Sequence, residues 1–247
     1  MLKGYIEGYY GRLFSKYERA KVINHMGKLK MDFYLYGPKE DLYHRIEWEK
    51  TYPAEEQKTL RNLVDQCKKN KIKPIFAISP GLQSYKLSEN FINSLTSKLK
   101  QAHQLGFKDF AIFFDDIEHE KDKELAKFHL TIINLVSSID FLKKNSLMVC
   151  PTVYCKSFAK GNMQKNEYLK ALAEDIDPSI SILWTGDEVV SQSITQKGIK
   201  ELKSLFSNPI IIWDNYYAND YCPSRFYIGP YKVRKSVGNL TIGIGIN

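Results

Sequence analysis

Short apolar runs rich in β-branched and aromatic residues recur along the chain, with amphipathic segments between them. The runs are GYIEG from Gly4, DFYLYG from Asp32, PIFAIS from Pro74, FAIFF from Phe110, LMVCP from Leu147, SILWTG from Ser181, PIIIW from Pro209 and TIGIGIN from Thr241. Strand-like runs alternating with helix-like segments specify a parallel sheet. Eight of them is the number that closes a (β/α)8 TIM barrel. Between the runs, apolar residues repeat at three and four. Leu60, Leu63, Val64 and Cys67 follow a start signal at Pro53, and Leu125, Phe128, Ile132, Leu135 and Ile139 form a second stripe. Both stripes predict helices packed on the core. Pro223, Gly229 and Pro230 break the segment 222–238, which predicts a short or irregular helix there. The chain stops at Asn247, directly after the eighth run, so the pattern predicts a barrel lacking its last helix. No linker, low-complexity tract or repeat divides the chain, and a single catalytic barrel domain over 1–247 is expected.

Composition changes this picture little. Hydrophobic residues make up 43% and charged residues 26%, enough apolar content for a sizeable core. The formal charge of +8 raises the question of a nucleic-acid partner. The lysines are spread over every predicted helix without a run of five, so no nucleic-acid role is expected. Cys67, Cys150, Cys155 and Cys222 lack paired metal-site spacing and read as reduced, mostly buried thiols. No stretch approaches the roughly 18 apolar residues of a membrane span. With no apolar leader at the N-terminus either, the expectation is a cytoplasmic protein without membrane attachment.

In such a barrel the active site lies at the C-terminal ends of the strands. Glu7, Gly8, Tyr9, Tyr10 and Gly11 follow the first run, Lys39 and Asp41 the second, and Ser79, Pro80 and Gly81 the third. Asp115 and Asp116 follow the fourth, Tyr154 the fifth, Trp184 and Thr185 the sixth, Trp213, Asp214 and Asn215 the seventh, and Asn247 the eighth. Aromatic rings around carboxylates and amides suit a pyranose, whose C–H faces stack while its hydroxyls hydrogen-bond. Core aromatics and turn-forming Asp or Asn explain any one strand end equally well. The sugar reading rests on the recurrence at every end.

The segment FFDDIEHE is the most informative. Paired acids before a helix often only cap it. Two carboxylates also perform glycosidic chemistry, one as acid and one as base or nucleophile. Neighbours on a regular strand point to opposite faces, which disfavours that pairing. A substrate-assisted variant fits better: the 2-acetamido oxygen of the sugar attacks the anomeric carbon, one acid orients the acetamido N–H, and the other protonates the leaving oxygen. That general acid needs a raised pKa, which burial beside Phe113 and Phe114 and a neighbouring carboxylate would supply. In a rival reading Asp115, Asp116, Glu118, His119 and Glu120 ligate a metal. EHEKDKE equally opens a solvated helix with acids in its first turn.

The ordered series EGYYGR, YGPKED followed by HR, AISPGL, FAIFFDDI, CPTVYC, LWTG, WDNYYAND and GPYK resembles the protein O-GlcNAcase family and its bacterial β-N-acetylglucosaminidase relatives, also called hyaluronidases. The resemblance covers nearly the whole chain. It implies a retaining, substrate-assisted β-N-acetylglucosaminidase with no cofactor and no metal, acting on an N-acetylglucosamine-containing glycan or glycoprotein. Asp115 would polarise the acetamido group and Asp116 would serve as acid and then base. Gly8, Lys39, Asn215 and Asp220 would bind sugar hydroxyls and carbonyl, and Tyr154 would assist at the acetamido or oxazoline oxygen. Tyr10 and Trp213 would wall the pocket, and Asn247 would match the asparagine after the last strand. The chain has Leu13 and Phe14 where the family has Pro-Trp, and Val153 where it has Glu; these positions are expected to border the pocket. A sugar-binding barrel without turnover is the alternative.

Overall fold

The structure, a computed structural model, describes residues 1–81, 87–117, 120, 122–232, 234 and 237–247. Glu118 and His119 of the rival metal reading, and Leu82 of the AISPGL motif, lie outside these. Eight strands form a closed barrel in which each pairs in parallel with the next and the eighth with the first. They are β1 (Leu2–Glu7), β2 (Phe33–Tyr36), β3 (Lys73–Ile78), β4 (Asp109–Phe113), β5 (Leu147–Cys150), β6 (Ser181–Trp184), β7 (Ile210–Asp214) and β8 (Gly243–Ile246). Helices α1 (Lys16–Lys28), α2 (Ala54–Lys69), α3 (Glu89–Leu105), α4 (Lys123–Ser137), α5 (Glu167–Asp175) and α6 (Gln196–Lys203) follow the first six strands in turn. Among the described residues no α-helix lies between β7 and β8, where the broken pattern of 222–238 predicts a short or irregular one. Among the described residues no helix is long and apolar enough to cross a membrane.

Local signals place the helix starts. Ser15 and Glu18 form a reciprocal capping box on α1, and Ser88, Asp122, Asn166 and Thr195 cap α3, α4, α5 and α6 through their side-chain oxygens. Strand side chains alternate between two cores. Ile6, Phe33, Leu35, Ile75, Phe113, Leu183 and Trp213 fill the barrel interior, while Tyr34, Phe76, Ile112, Ile182 and Trp184 pack under the helices. Phe33 reaches across the barrel because Gly4 leaves it room: a Cβ on Gly4 would lie 2.3 Å from the Phe33 ring.

The α2 stripe of Leu60, Leu63, Val64 and Cys67 is buried as predicted. On α4 the buried face is Leu125, Ala126, His129, Leu130, Ile132, Ile133 and Val136. Phe128 and Leu135 run along its edge, and Ile139 lies past the helix end. The centre of that face holds a histidine, which an apolar count passes over.

Candidate active site

β4 ends at Phe113, so Asp115 and Asp116 follow it in a turn. Asp116 has φ of 54°, a left-handed conformation uncommon outside glycine. The turn brings both carboxylates to one pocket. Alternation along a strand, the ground for separating them, does not apply here, so two cooperating carboxylates are sterically admissible.

The pocket has a volume of about 430 Å³, within the usual range for small-molecule sites. All the residues singled out for the site line it: Gly8, Tyr10, Lys39, Asp115, Asp116, Tyr154, Trp213, Asn215, Asp220 and Asn247. Cys150, Thr185, Val189, Val190, Ala218 and Tyr221 complete the wall. Of these, only Thr185 carried a strand-end signal. The others are small or apolar and look in sequence like ordinary core and loop. Close approach explains Gly8, where a Cβ would meet the Trp213 ring at 2.4 Å.

Several strand-end residues take other directions, as the period of two requires. Glu7 pairs with Arg19 at 2.6 Å, Asp214 pairs with Arg234 at 2.9 Å, and Trp184 is buried in the outer core. Asp41 accepts the hydroxyls of Tyr36 and Tyr52 at 2.7 and 2.8 Å and the Tyr43 N–H at 2.9 Å, which fixes the loop carrying Lys39. Val153 does not border the pocket as expected. It is fully buried in the outer core, and Phe14 instead lines a neighbouring cleft against Tyr9.

Lys39 is the buried cation at the pocket floor. It bonds Asp115 Oδ2 and lies 5.4 Å from the Phe113 ring centre and 5.9 Å from that of Trp213. The other oxygen of Asp115, Oδ1, is buried without any hydrogen-bond partner. Asp116 accepts the hydroxyls of Tyr10 and Tyr154, each at 2.8 Å. Burial pushes the Asp115 carboxyl up, Lys39 opposes the shift, and the charge of Asp116 adds to it, leaving Asp115 above the ordinary carboxylate range. At Asp116 burial is outweighed by Lys39 and the two tyrosine hydroxyls, which hold the carboxyl below its ordinary range. The raised pKa expected of the general acid therefore falls on Asp115. Lys39 is the largest influence holding Asp116 low, followed by the hydroxyls of Tyr10 and Tyr154, and all three lie far from Asp116 in sequence. Arg45 adds positive charge 5.3 Å above the Tyr10 ring.

Amides set the opposite wall. Asn215 Oδ1 accepts from Trp213 Nε1 at 2.9 Å and from Asn247 Nδ2 at 2.8 Å, and Asn247 Oδ1 accepts the Gly8 N–H at 3.1 Å. Together they tie the ends of β7, β8 and β1. Asp220 Oδ2 accepts the Tyr10 N–H at 2.9 Å. Among the described residues no group of three His, Cys, Asp or Glu is placed to hold a metal ion.

Residues 3–244 match the family model described as beta-N-acetylglucosaminidase. The chain is similar to Protein O-GlcNAcase of Mus musculus, 36% identical over 241 residues that make up 95% of this chain and 26% of the mouse protein. It is 35% identical to Protein O-GlcNAcase of Rattus norvegicus over the same shares of the two chains. A solved structure described as "Structure of CpGH84B" superposes with a TM-score of 0.87 at 29% identity, covering all of this chain and 44% of that one. The chain spans about a quarter of the length of the curated relatives it matches.

Proposed function

The chain belongs to the beta-N-acetylglucosaminidase family, and from that membership we propose that it removes terminal β-linked N-acetylglucosamine by a retaining, substrate-assisted mechanism. The observation that carries the proposal is the pair of inequivalent oxygens on Asp115: Oδ2 is held by Lys39, and Oδ1 is buried and free to accept. An acetamido N–H satisfies such an oxygen, which otherwise bears the cost of burial without a partner. With its N–H so held, the acetamido carbonyl oxygen attacks the anomeric carbon and forms an oxazolinium ion, whose N–H stays hydrogen-bonded to the Asp115 carboxylate. The bond to the leaving oxygen breaks as Asp116 gives that oxygen its proton. Asp116 then takes a proton from water, whose oxygen adds to the anomeric carbon, reopens the ring and restores the original configuration.

In this reading substrate binding raises the pKa of Asp116. The pair binds its protons as a coupled unit. An N–H donated to Asp115 favours its carboxylate form, and transfer of the Tyr154 hydroxyl to the acetamido oxygen removes one of the bonds that hold Asp116 low. Both changes move the shared proton toward Asp116. Gly8, Lys39, Asn215 and Asp220 bind the sugar's polar groups in this reading, with Tyr10, Trp213 and Asn247 shaping the pocket. The names of the mammalian relatives point to O-GlcNAc-modified protein as the substrate class.

Release of 4-nitrophenol from its N-acetyl-β-glucosaminide tests the activity, with turnover expected and unchanged by EDTA. Folded protein that binds N-acetylglucosamine without turnover would instead be a sugar-binding barrel, and chelator-sensitive turnover would revive the metal reading. A pH profile on a substrate whose leaving oxygen must be protonated tests the tyrosine contacts. Tyr10→Phe removes a hydroxyl that lowers the Asp116 pKa. The protonated acid then persists to higher pH, so the basic limb of kcat/KM moves upward. A limb that stays in place would remove Tyr10 from this role.

A further inference from the structure

Phe114, the residue between β4 and the acid pair, is held at three points. Its N–H donates to the Cys150 carbonyl at 2.9 Å, continuing the ladder one residue past the strand. Its carbonyl accepts the Thr152 hydroxyl at 2.7 Å. Its ring lies on the His129 ring, with centroids 3.7 Å apart and planes within 8°. Thr152 and His129 are fully buried, and neither lines the pocket.

The three contacts form one network. The Thr152 N–H donates to the Tyr168 hydroxyl at 3.1 Å, and that hydroxyl lies 2.9 Å from His129 Nδ1. Burial lowers the pKa of His129 to about 3, so the ring is neutral, and the Tyr168 hydroxyl and Nδ1 are joined by one hydrogen bond whose direction follows the tautomer. Thr152 after β5, His129 of α4 and, through both, Tyr168 of α5 thus converge on Phe114. That residue precedes a turn in which Asp116 holds a left-handed backbone, a conformation that persists only where its surroundings impose it.

We propose that Thr152 is a positioning residue for the acid pair, with Tyr168 and His129 orienting it, so that the network sets the direction in which Asp115 and Asp116 face the substrate. The inference rests on the glycosidase reading above. Thr152→Val keeps the side chain's shape and removes its only donor to the Phe114 carbonyl. Misplacement of reacting groups by about 1 Å costs on the order of 100-fold in rate. The test compares wild type, Thr152→Val and Thr152→Ser for turnover of 4-nitrophenyl N-acetyl-β-glucosaminide, with thermal melts as the folding control. Thr152→Val should lose about 100-fold in kcat with KM near that of wild type, and Thr152→Ser, which restores the hydroxyl, should recover most of the loss.

A purely structural role would lower the melting temperature of Thr152→Val and leave kcat unchanged in the folded fraction. That result overturns the inference, as does a Thr152→Ser variant no better than Thr152→Val. Should Thr152→Val fail to fold, Tyr168→Phe replaces it, because it removes the relay hydroxyl and keeps the ring. It is expected to lower kcat about 10-fold at unchanged KM, and wild-type kcat would overturn the inference equally. Absence of turnover in wild type defeats the glycosidase reading and this inference with it, whereas wild-type turnover matched by the folded variants defeats this inference alone.

Discussion

Asp116→Asn is expected to lower kcat/KM by roughly 100- to 10,000-fold on substrates with basic leaving oxygens, the usual range for loss of a positioned proton donor. The loss should be much smaller on aryl glycosides, whose phenolate departs without protonation. Asp115→Asn should slow both substrate types to a similar degree, because it weakens the acetamido attack that precedes either departure. The asymmetry follows from placement. Asp115 has one oxygen on Lys39 and one buried without a hydrogen-bond partner. Asp116 stands under two tyrosine hydroxyls, where the leaving group would displace or accompany them. Steady-state kinetics on a series of aryl leaving groups would decide the matter. A steep dependence on leaving-group pKa in Asp116→Asn and a flat one in Asp115→Asn supports the roles, and the reverse pattern exchanges them. The exchange would also accord with the raised pKa of Asp115 and the lowered one of Asp116.

The barrel was legible because its signal is repeated. Eight apolar runs with amphipathic spacers leave few alternatives, and an error of a residue or two in one strand does not alter closure. The lining residues were legible because the ends of barrel strands converge on one face. What the sequence concealed depends on direction and on distant partners. Trp184 and Asp214 stand at strand ends like Trp213, yet the alternation sends them outward. Val153 was placed at the pocket by resemblance and lies in the outer core, in the bend that follows β5. The electrostatics of the acid pair were misread because burial and the neighbouring charge are local, whereas the Lys39 ammonium and the hydroxyls of Tyr10 and Tyr154 arrive from the segments after β2, β1 and β5, more than 30 residues away in either direction. His129 was missed because it occupies the middle of an otherwise apolar helical face.

The largest expected effect on stability lies at Glu7, whose burial the sequence did not reveal. Its carboxylate is fully buried and accepts from Arg19 at 2.6 and 2.9 Å and from the Tyr34 hydroxyl at 2.5 Å. Arg19, on the buried face of α1, also stacks 5.2 Å from the Tyr36 ring centre, so one cation ties the first helix to both β1 and β2. Arg19→Met preserves much of the side-chain volume and leaves a buried carboxylate with a single neutral donor. Breaking a buried pair in this way costs about 3–5 kcal/mol. For a domain of this size that is a fall in melting temperature of roughly 6–20 °C. The double variant Glu7→Leu with Arg19→Met removes the stranded charge and should recover most of the loss, because apolar replacement of both partners avoids the desolvation that the pair offsets. The two melts together identify the cause. A large loss in the single variant with recovery in the double assigns the cost to the unpaired charge, whereas equal losses assign it to packing of α1. A single variant that melts with wild type would mean that Glu7 finds a proton or water readily and that the pair does not anchor α1. Gly8 follows Glu7 directly and its N–H is bonded to Asn247, so loosening this anchor is also expected to disturb the pocket wall, measured as a rise in KM at temperatures well below the melt.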